Sequence, residues 1–212
     1  MALTCTCPAN TSLTTIPSFT CSESFGQIQK VAFQRLTASG TKNAFTSPAT
    51  IDLKASWTAL FSAADSTKIV VSPYIEAPTQ EAGAARTFGG GNETLGGMQR
   101  IIGSEPSSFT AVLRGVPQAS VIIPLKELMC EADAGNLGVY LFDENGFVEA
   151  IQDPSVATTF YPIPIRAFFV GDKVHGGLEA PDNNTISWQF APNYSDHLTI
   201  VKPTDFNPLT DF

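Results

Sequence analysis

One turn constrains this chain more than any other feature. Asp143-Glu144-Asn145-Gly146 separates two apolar runs, Leu137 to Phe142 and Phe147 to Ile151. Asn-Gly supplies the left-handed backbone that a tight hairpin needs, so the two runs are expected to pair as antiparallel strands. Other short segments share the strand period. Phe109, Ala111 and Leu113 alternate with Thr110, Val112 and Arg114, and Ile186, Trp188 and Phe190 alternate with Ser187, Gln189 and Ala191. Further strands are expected at Ile69 to Ser72 and Leu198 to Val201. A first strand is expected within Phe25 to Leu36, followed by a turn at Ala38 to Asn43. Tyr161, Ile163, Ile165, Ala167 and Phe169 also alternate, but Pro162 and Pro164 interrupt them. Proline donates nothing to a ladder, so that segment is expected to be an edge strand or a bulged one.

Helical spacing occurs in two places. From about Ile51 to Ala64, the residues Leu53, Trp57, Leu60, Phe61 and Ala64 share one face, with Thr50 placed to cap the start. A shorter helix is expected from Pro124, a favoured first-turn residue, with Leu125, Leu128 and Met129 on one side. Many short strands with one or two helices predict a mainly β fold, a sandwich or partial barrel. The 212 residues suit one such domain over 25–201, with an extended N-terminal arm at 1–24 and an extended C-terminal arm at 202–212.

Two features outside that core attract a functional reading. The run Phe88-Gly89-Gly90-Gly91-Asn92-Glu93-Thr94-Leu95-Gly96-Gly97 has the outer glycine spacing of a phosphate loop, but Gly97 and Met98 stand where lysine and a hydroxyl residue are needed. A long loop over about 78–103 is expected instead, with Gly89, Gly90, Gly91, Gly96 and Gly97 as an assembly element that orders against a neighbouring subunit. The triplet Thr-Asp-Phe occurs twice in the last residues, ending at Phe206 and Phe212. Exposed phenylalanines are a liability unless they dock, either on their own domain or on a neighbour. Both options stay open.

The residues offer little chemistry. There are two histidines, His175 and His197, and neither sits in a nucleophile motif. No pair of carboxylates is singled out for glycosidase work. Of the four cysteines, Cys5, Cys7 and Cys21 lack the paired spacings of a zinc site, and Cys130 reads as a core thiol. Catalytic, cofactor and metal residues are therefore not assigned. The net charge of −8 argues against affinity-type binding to nucleic acid and to anionic membranes. Neither a secretion signal nor an apolar run of about 18 residues is evident. The Asn-x-Ser/Thr matches at Asn10, Asn92, Asn183 and Asn193 then read as chance. Charged residues make up 15% of the chain against roughly 25% in typical domains, which favours burial against further copies of itself.

Several segments resemble virion proteins of tailed bacteriophages that infect Bacteroidetes. They are Phe25 to Arg35, Leu125-Lys126-Glu127-Leu128-Met129-Cys130-Glu131, Gly176-Gly177-Leu178-Glu179-Ala180-Pro181-Asp182 and Trp188-Gln189-Phe190-Ala191-Pro192-Asn193-Tyr194-Ser195-Asp196. Within that group the chain is most similar to tail-tube subunits. The resemblance implies a non-catalytic structural protein made in the host cytoplasm and located in the virion. It implies stacked, hexameric rings around an acidic lumen, contact with other tail proteins, and DNA passing through without specific binding. The cysteine-bearing start has no counterpart in that family. Two other readings stand beside it. One is a capsid decoration or head-fibre protein. The other is a carbohydrate-binding sandwich using Trp57, Trp188 or Tyr194.

Overall fold

The computed structural model describes residues 16, 18, 26–47, 49–92, 95–114 and 119–212. The expected N-terminal arm, apart from Ile16 and Ser18, lies outside the described residues, as do Cys5, Cys7 and Cys21. Strand accounts for 42% of the structure and helix for 18%, so the fold is mainly β.

The Asn-Gly hairpin forms as its sequence requires. β9 (Leu137–Asp143) and β10 (Val148–Gln152) pair antiparallel, with Phe142 opposite Val148. Asp143 Oδ1 accepts from the backbone N–H groups of Asn145 and Phe147 at 2.9 and 2.8 Å, and Gly146 takes a φ of +77°. The side chain thus satisfies turn donors that the ladder leaves unpaired.

All seven residues of β9 are buried, because both faces and both edges of this strand are covered. Along one edge it pairs with β1 (Ile28–Arg35). Its other edge is shared. The end of the strand pairs with β10, and its start pairs with β12 (Ile163–Val170). From β12 the sheet continues through β13 (Asn183–Phe190) and β8 (Ser107–Arg114) to β5 (Glu76–Glu81). On the far side β1 pairs with β4 (Ile69–Val71), and the chain runs on from β4 to β5, with Ile75 N donating to Gln29 O at 2.8 Å. One run of chain therefore hands over from β1 to β8, and the sheet curls back on itself as a partial barrel. Completing the sheet, β11 (Phe160–Tyr161) and β14 (Leu198–Val201) pair with β10. A small hairpin of β2 (Thr37–Ala38) and β3 (Thr41–Lys42) occupies the turn expected after β1.

Two cores lie on opposite faces of β1 and β9. Inside the curl, Val31, Phe33, Val139 and Leu141 meet Phe109, Ile186, Trp188 and Phe190. Trp188 stacks on Phe109 with centroids 4.2 Å apart. On the outer face, Ala32, Tyr140 and Phe142 meet Phe45, Ile51 and Trp57. Trp57 lies on α1 (Lys54–Phe61) and donates from Nε1 to Ile51 O at 2.7 Å. The Tyr140 hydroxyl, held well above its ordinary pKa by burial, donates to Gln34 Oε1 at 3.0 Å.

Four expectations need correction. Helix α1 is shorter than the span 51–64. Leu53 is its N-cap and gives no side-chain cap, Asp205 Oδ1 instead accepts from Lys54 N at 2.7 Å, and Ala64 lies beyond the helix and is exposed. The second helix, α2 (Ala119–Asp133), begins before Pro124 and carries that proline in its interior. Val121 packs on the inner core, and this packing outweighs the strand preference of Val121-Ile122-Ile123. Cys130, on the same helix, is exposed rather than a core thiol.

The fourth correction concerns the alternation of the proline-interrupted strand. Of the two expectations for it, an edge or a bulged strand, the bulged one holds, and β12 has partners on β9 and on β13. Its register shifts between Arg166 and Phe169, where Ala167 takes a φ of +51°. The extra residue reverses the alternation beyond it, so Phe168 and Val170 turn inward while Phe169 is exposed.

Candidate assembly surface

The segment expected as a loop over about 78–103 contains three stretches of strand. After β5 comes a two-stranded hairpin of β6 (Ala85–Phe88) and β7 (Arg100–Ser104), separate from the main sheet. At its base, Glu105 N donates to Ala84 O at 2.8 Å. Gly83 is required there, because a Cβ would lie 1.9 Å from the Glu105 carbonyl oxygen. The expected glycines form the tip. Gly89, Gly90, Gly96 and Gly97 take φ of +92°, +102°, +75° and +67°, values that L side chains rarely adopt, while Gly91 sits exposed between the two pairs.

Below the tip, the hairpin exposes what strands normally bury. Phe88 is 53% exposed, Met98 70%, Ile101 76% and Ile102 62%. The register shifts between Arg86 and Thr87, opposite Gly103 and Ile101, so Ile102 is the extra residue of a bulge. Within the hairpin, Gln99 Nε2 donates to Thr87 Oγ1 at 2.9 Å. The strand signal was present in Arg100-Ile101-Ile102, but the glycines on either side masked it.

A second surface is polar. Register places Thr79, Ser108, Thr110, Thr185, Ser187 and Gln189 together on the outer face of β5, β8 and β13. On this face Arg114 Nε lies 2.9 Å from Glu76 Oε2, and the exposed Glu81 stands opposite Ser108.

The C-terminal residues are docked on their own domain, so the expected extended arm is corrected. Phe206 and Phe212 pack on the outer core, with ring centroids 6.4 and 5.5 Å from that of Trp57. A short helix, α3 (Pro208–Asp211), interrupts the tail and buries Leu209. Lys30 Nζ, itself buried, donates to the backbone oxygens of Leu209 and Phe212 at 2.7 and 2.8 Å and lies 4.2 Å from the centre of the Tyr74 ring. Burial lowers its pKa, and the two carbonyl contacts and the ring face replace part of its lost hydration. At the tail's edge, Lys54 Nζ pairs with Asp211 Oδ1 at 2.7 Å.

The aromatic and titratable candidates are distributed as follows. Trp57 and Trp188 are buried, so neither forms a platform for a sugar, and Tyr194 is half-buried with its ring stacked on Phe190. His175 is exposed beside Asp182, with Nδ1 3.5 Å from Oδ2. Asp182 is held below the usual carboxylate range chiefly by Lys173. His197 is exposed in a short 3-10 turn. Among the described residues, no group of three or more His, Cys, Asp or Glu side chains is arranged to hold a metal ion. Nor is any helix among them long and apolar enough to cross a membrane.

The chain matches no protein-family model, no curated protein sequence and no solved structure.

Proposed function

We propose that this chain is a structural subunit of a bacteriophage tail tube. It works by self-assembly into stacked, six-membered rings that conduct DNA, and the reading assigns it no catalysis. The observation that carries it is the β6–β7 hairpin, which exposes Phe88, Met98, Ile101 and Ile102 on a ribbon joined to the domain at its base. An isolated two-stranded ribbon is marginal in water, and apolar side chains displayed on it call for a partner surface. The sequence resemblance supplies the kind of assembly. The net charge of −8 and the Ser/Thr-rich outer face of β8 and β13 both favour DNA sliding past without adhering.

The test is negative-stain microscopy of the purified protein over a range of concentrations, paired with its mass in solution. Hollow tubes or six-membered rings are expected. A persistent monomer, or a trimer, overturns the reading and favours a capsid decoration protein. Deleting Gly89 to Gly97 should leave a folded monomer that no longer polymerises, and tubes formed by that variant would remove the hairpin tip from the assembly.

A further inference from the structure

The molecule carries a second incompletely covered apolar surface, on a different part of the fold. Between β4 and α2 lies a groove of about 590 Å³, whose floor includes Phe33, Val70, Leu125 and Leu128. Val70 is 39% exposed. One wall is a strand edge that is free among the described residues, where β4 pairs with β1 alone. Ser72 N donates to Val31 O at 2.8 Å, so by the alternation of an antiparallel ladder the backbone groups of Ile69 and Val71 point away from β1. Of its charged lining residues, Arg35 is paired with Glu131, and the exposed carboxylates of Asp65 and Glu127 outnumber the remaining cation, Lys68.

The β6–β7 hairpin has the complementary properties. It offers exposed Ile101 and Phe88 to an apolar floor and strand backbone to a free edge. Among the described residues, Arg86 and Arg100 take part in no ion pair, which leaves them available to Asp65 and Glu127. None of the groove's lining residues belongs to the hairpin, so the molecule does not close the groove with its own ribbon.

We infer that the β6–β7 hairpin of one subunit docks in the β4–α2 groove of the next. The inference rests on the tube reading and specifies its contact. The incoming strand adds to the β4 edge by backbone pairing, while its side chains fill the groove. Such a contact joins two different patches of the same chain. It is therefore head-to-tail, the type that closes into a ring when the rotation between subunits permits. It also covers an open edge that would otherwise invite unregulated pairing.

Crosslinking tests the contact directly. In the full chain with its native cysteines replaced by serine, Val70→Cys and Ile101→Cys are made as separate variants, mixed, allowed to assemble and oxidised. A disulfide-linked pair that forms in the mixture and in neither variant alone is expected. Arg100→Glu and Glu127→Arg should each raise the concentration needed for assembly about tenfold, and the double variant should return it close to the parent value. If the parent forms tubes but no crosslink appears and the charge reversals change nothing, the docking is wrong and the tube reading stands. Crosslinked closed rings that never stack into tubes would keep the docking and overturn the tube. An efficient crosslink from Val70→Cys to Ile16→Cys, in place of Ile101→Cys, would assign the groove to the N-terminal segment and overturn the docking.

Discussion

The strand β9 and the hairpin β6–β7 are built from similar residues and meet opposite fates. Leu137-Gly138-Val139-Tyr140-Leu141-Phe142 and Arg100-Ile101-Ile102 are both β-favouring runs beside glycine. The first has partners along both edges and a core on each face, and every residue is buried. The second has one partner strand and no core, and nearly every residue is exposed. Strand propensity is thus shared, and the difference lies in what the rest of the chain brings to each face. Burial on two faces gives β9 the stability of the domain. The hairpin contributes little to that stability, and its exposed apolar residues are the ones the proposed docking uses.

The largest test of this contrast is made in the cores. Trp57→Ala should cost about 3–5 kcal/mol in denaturant unfolding, since a fully buried ring and its hydrogen bond to Ile51 are both lost. The same change should loosen the C-terminal tail, whose Phe206 and Phe212 rest on that ring. A loss below about 1 kcal/mol would show that the outer core is not integral to the fold.

A smaller effect is expected at Glu149 on β10. Burial, with the Asp143 carboxylate adding to it, raises this side chain's pKa from 4.5 to about 7. A carboxyl whose folded pKa is raised gives stability that is full below its unfolded value and is lost as pH rises through the folded one. Glu149→Gln should match the parent protein near pH 4. Above pH 7 it should be more stable by roughly 2–3 kcal/mol, read from unfolding curves at the two pH values. Equal stability at both would remove the buried-carboxyl argument.

The smallest change in stability belongs to the hairpin. Ile101→Ser should alter unfolding by no more than about 0.5 kcal/mol, because the side chain is already in water. It should nonetheless weaken assembly measured by light scattering. A large loss of stability would mean that the ribbon is part of the domain's core after all, and the contrast with β9 would fail.

Local pattern carried much of the fold and less of the surface. The Asn-Gly hairpin, the alternation around Trp188 and the last short strand were readable because each depends on neighbours within a few residues. Phe168 was not. Its inward turn follows from a bulge at Ala167, and no periodicity announces an inserted residue. The start of α2 was hidden for a related reason, since three β-branched residues become helix only through packing that Val121 finds elsewhere. The glycines at the hairpin tip suggested a long loop, where the residues flanking them on both sides make strand. In the tail, Phe206 and Phe212 were recognised as needing cover, but the cover is Trp57, far away in sequence.

That distance has a consequence for synthesis. Tyr140 bonds a partner 106 residues away, and Lys30 grips a carbonyl 179 residues away. Contacts of such long range slow folding, because the chain must be brought together before any of them contributes. On the ribosome β1 would wait for β9, and the outer core would wait for residues 206–212. The hairpin needs only its own local pairing and can form much earlier. The chain positions that pair within the hairpin are therefore all synthesised before the β1–β9 pair can form, and under the proposed docking the groove would be the later of the two surfaces to mature.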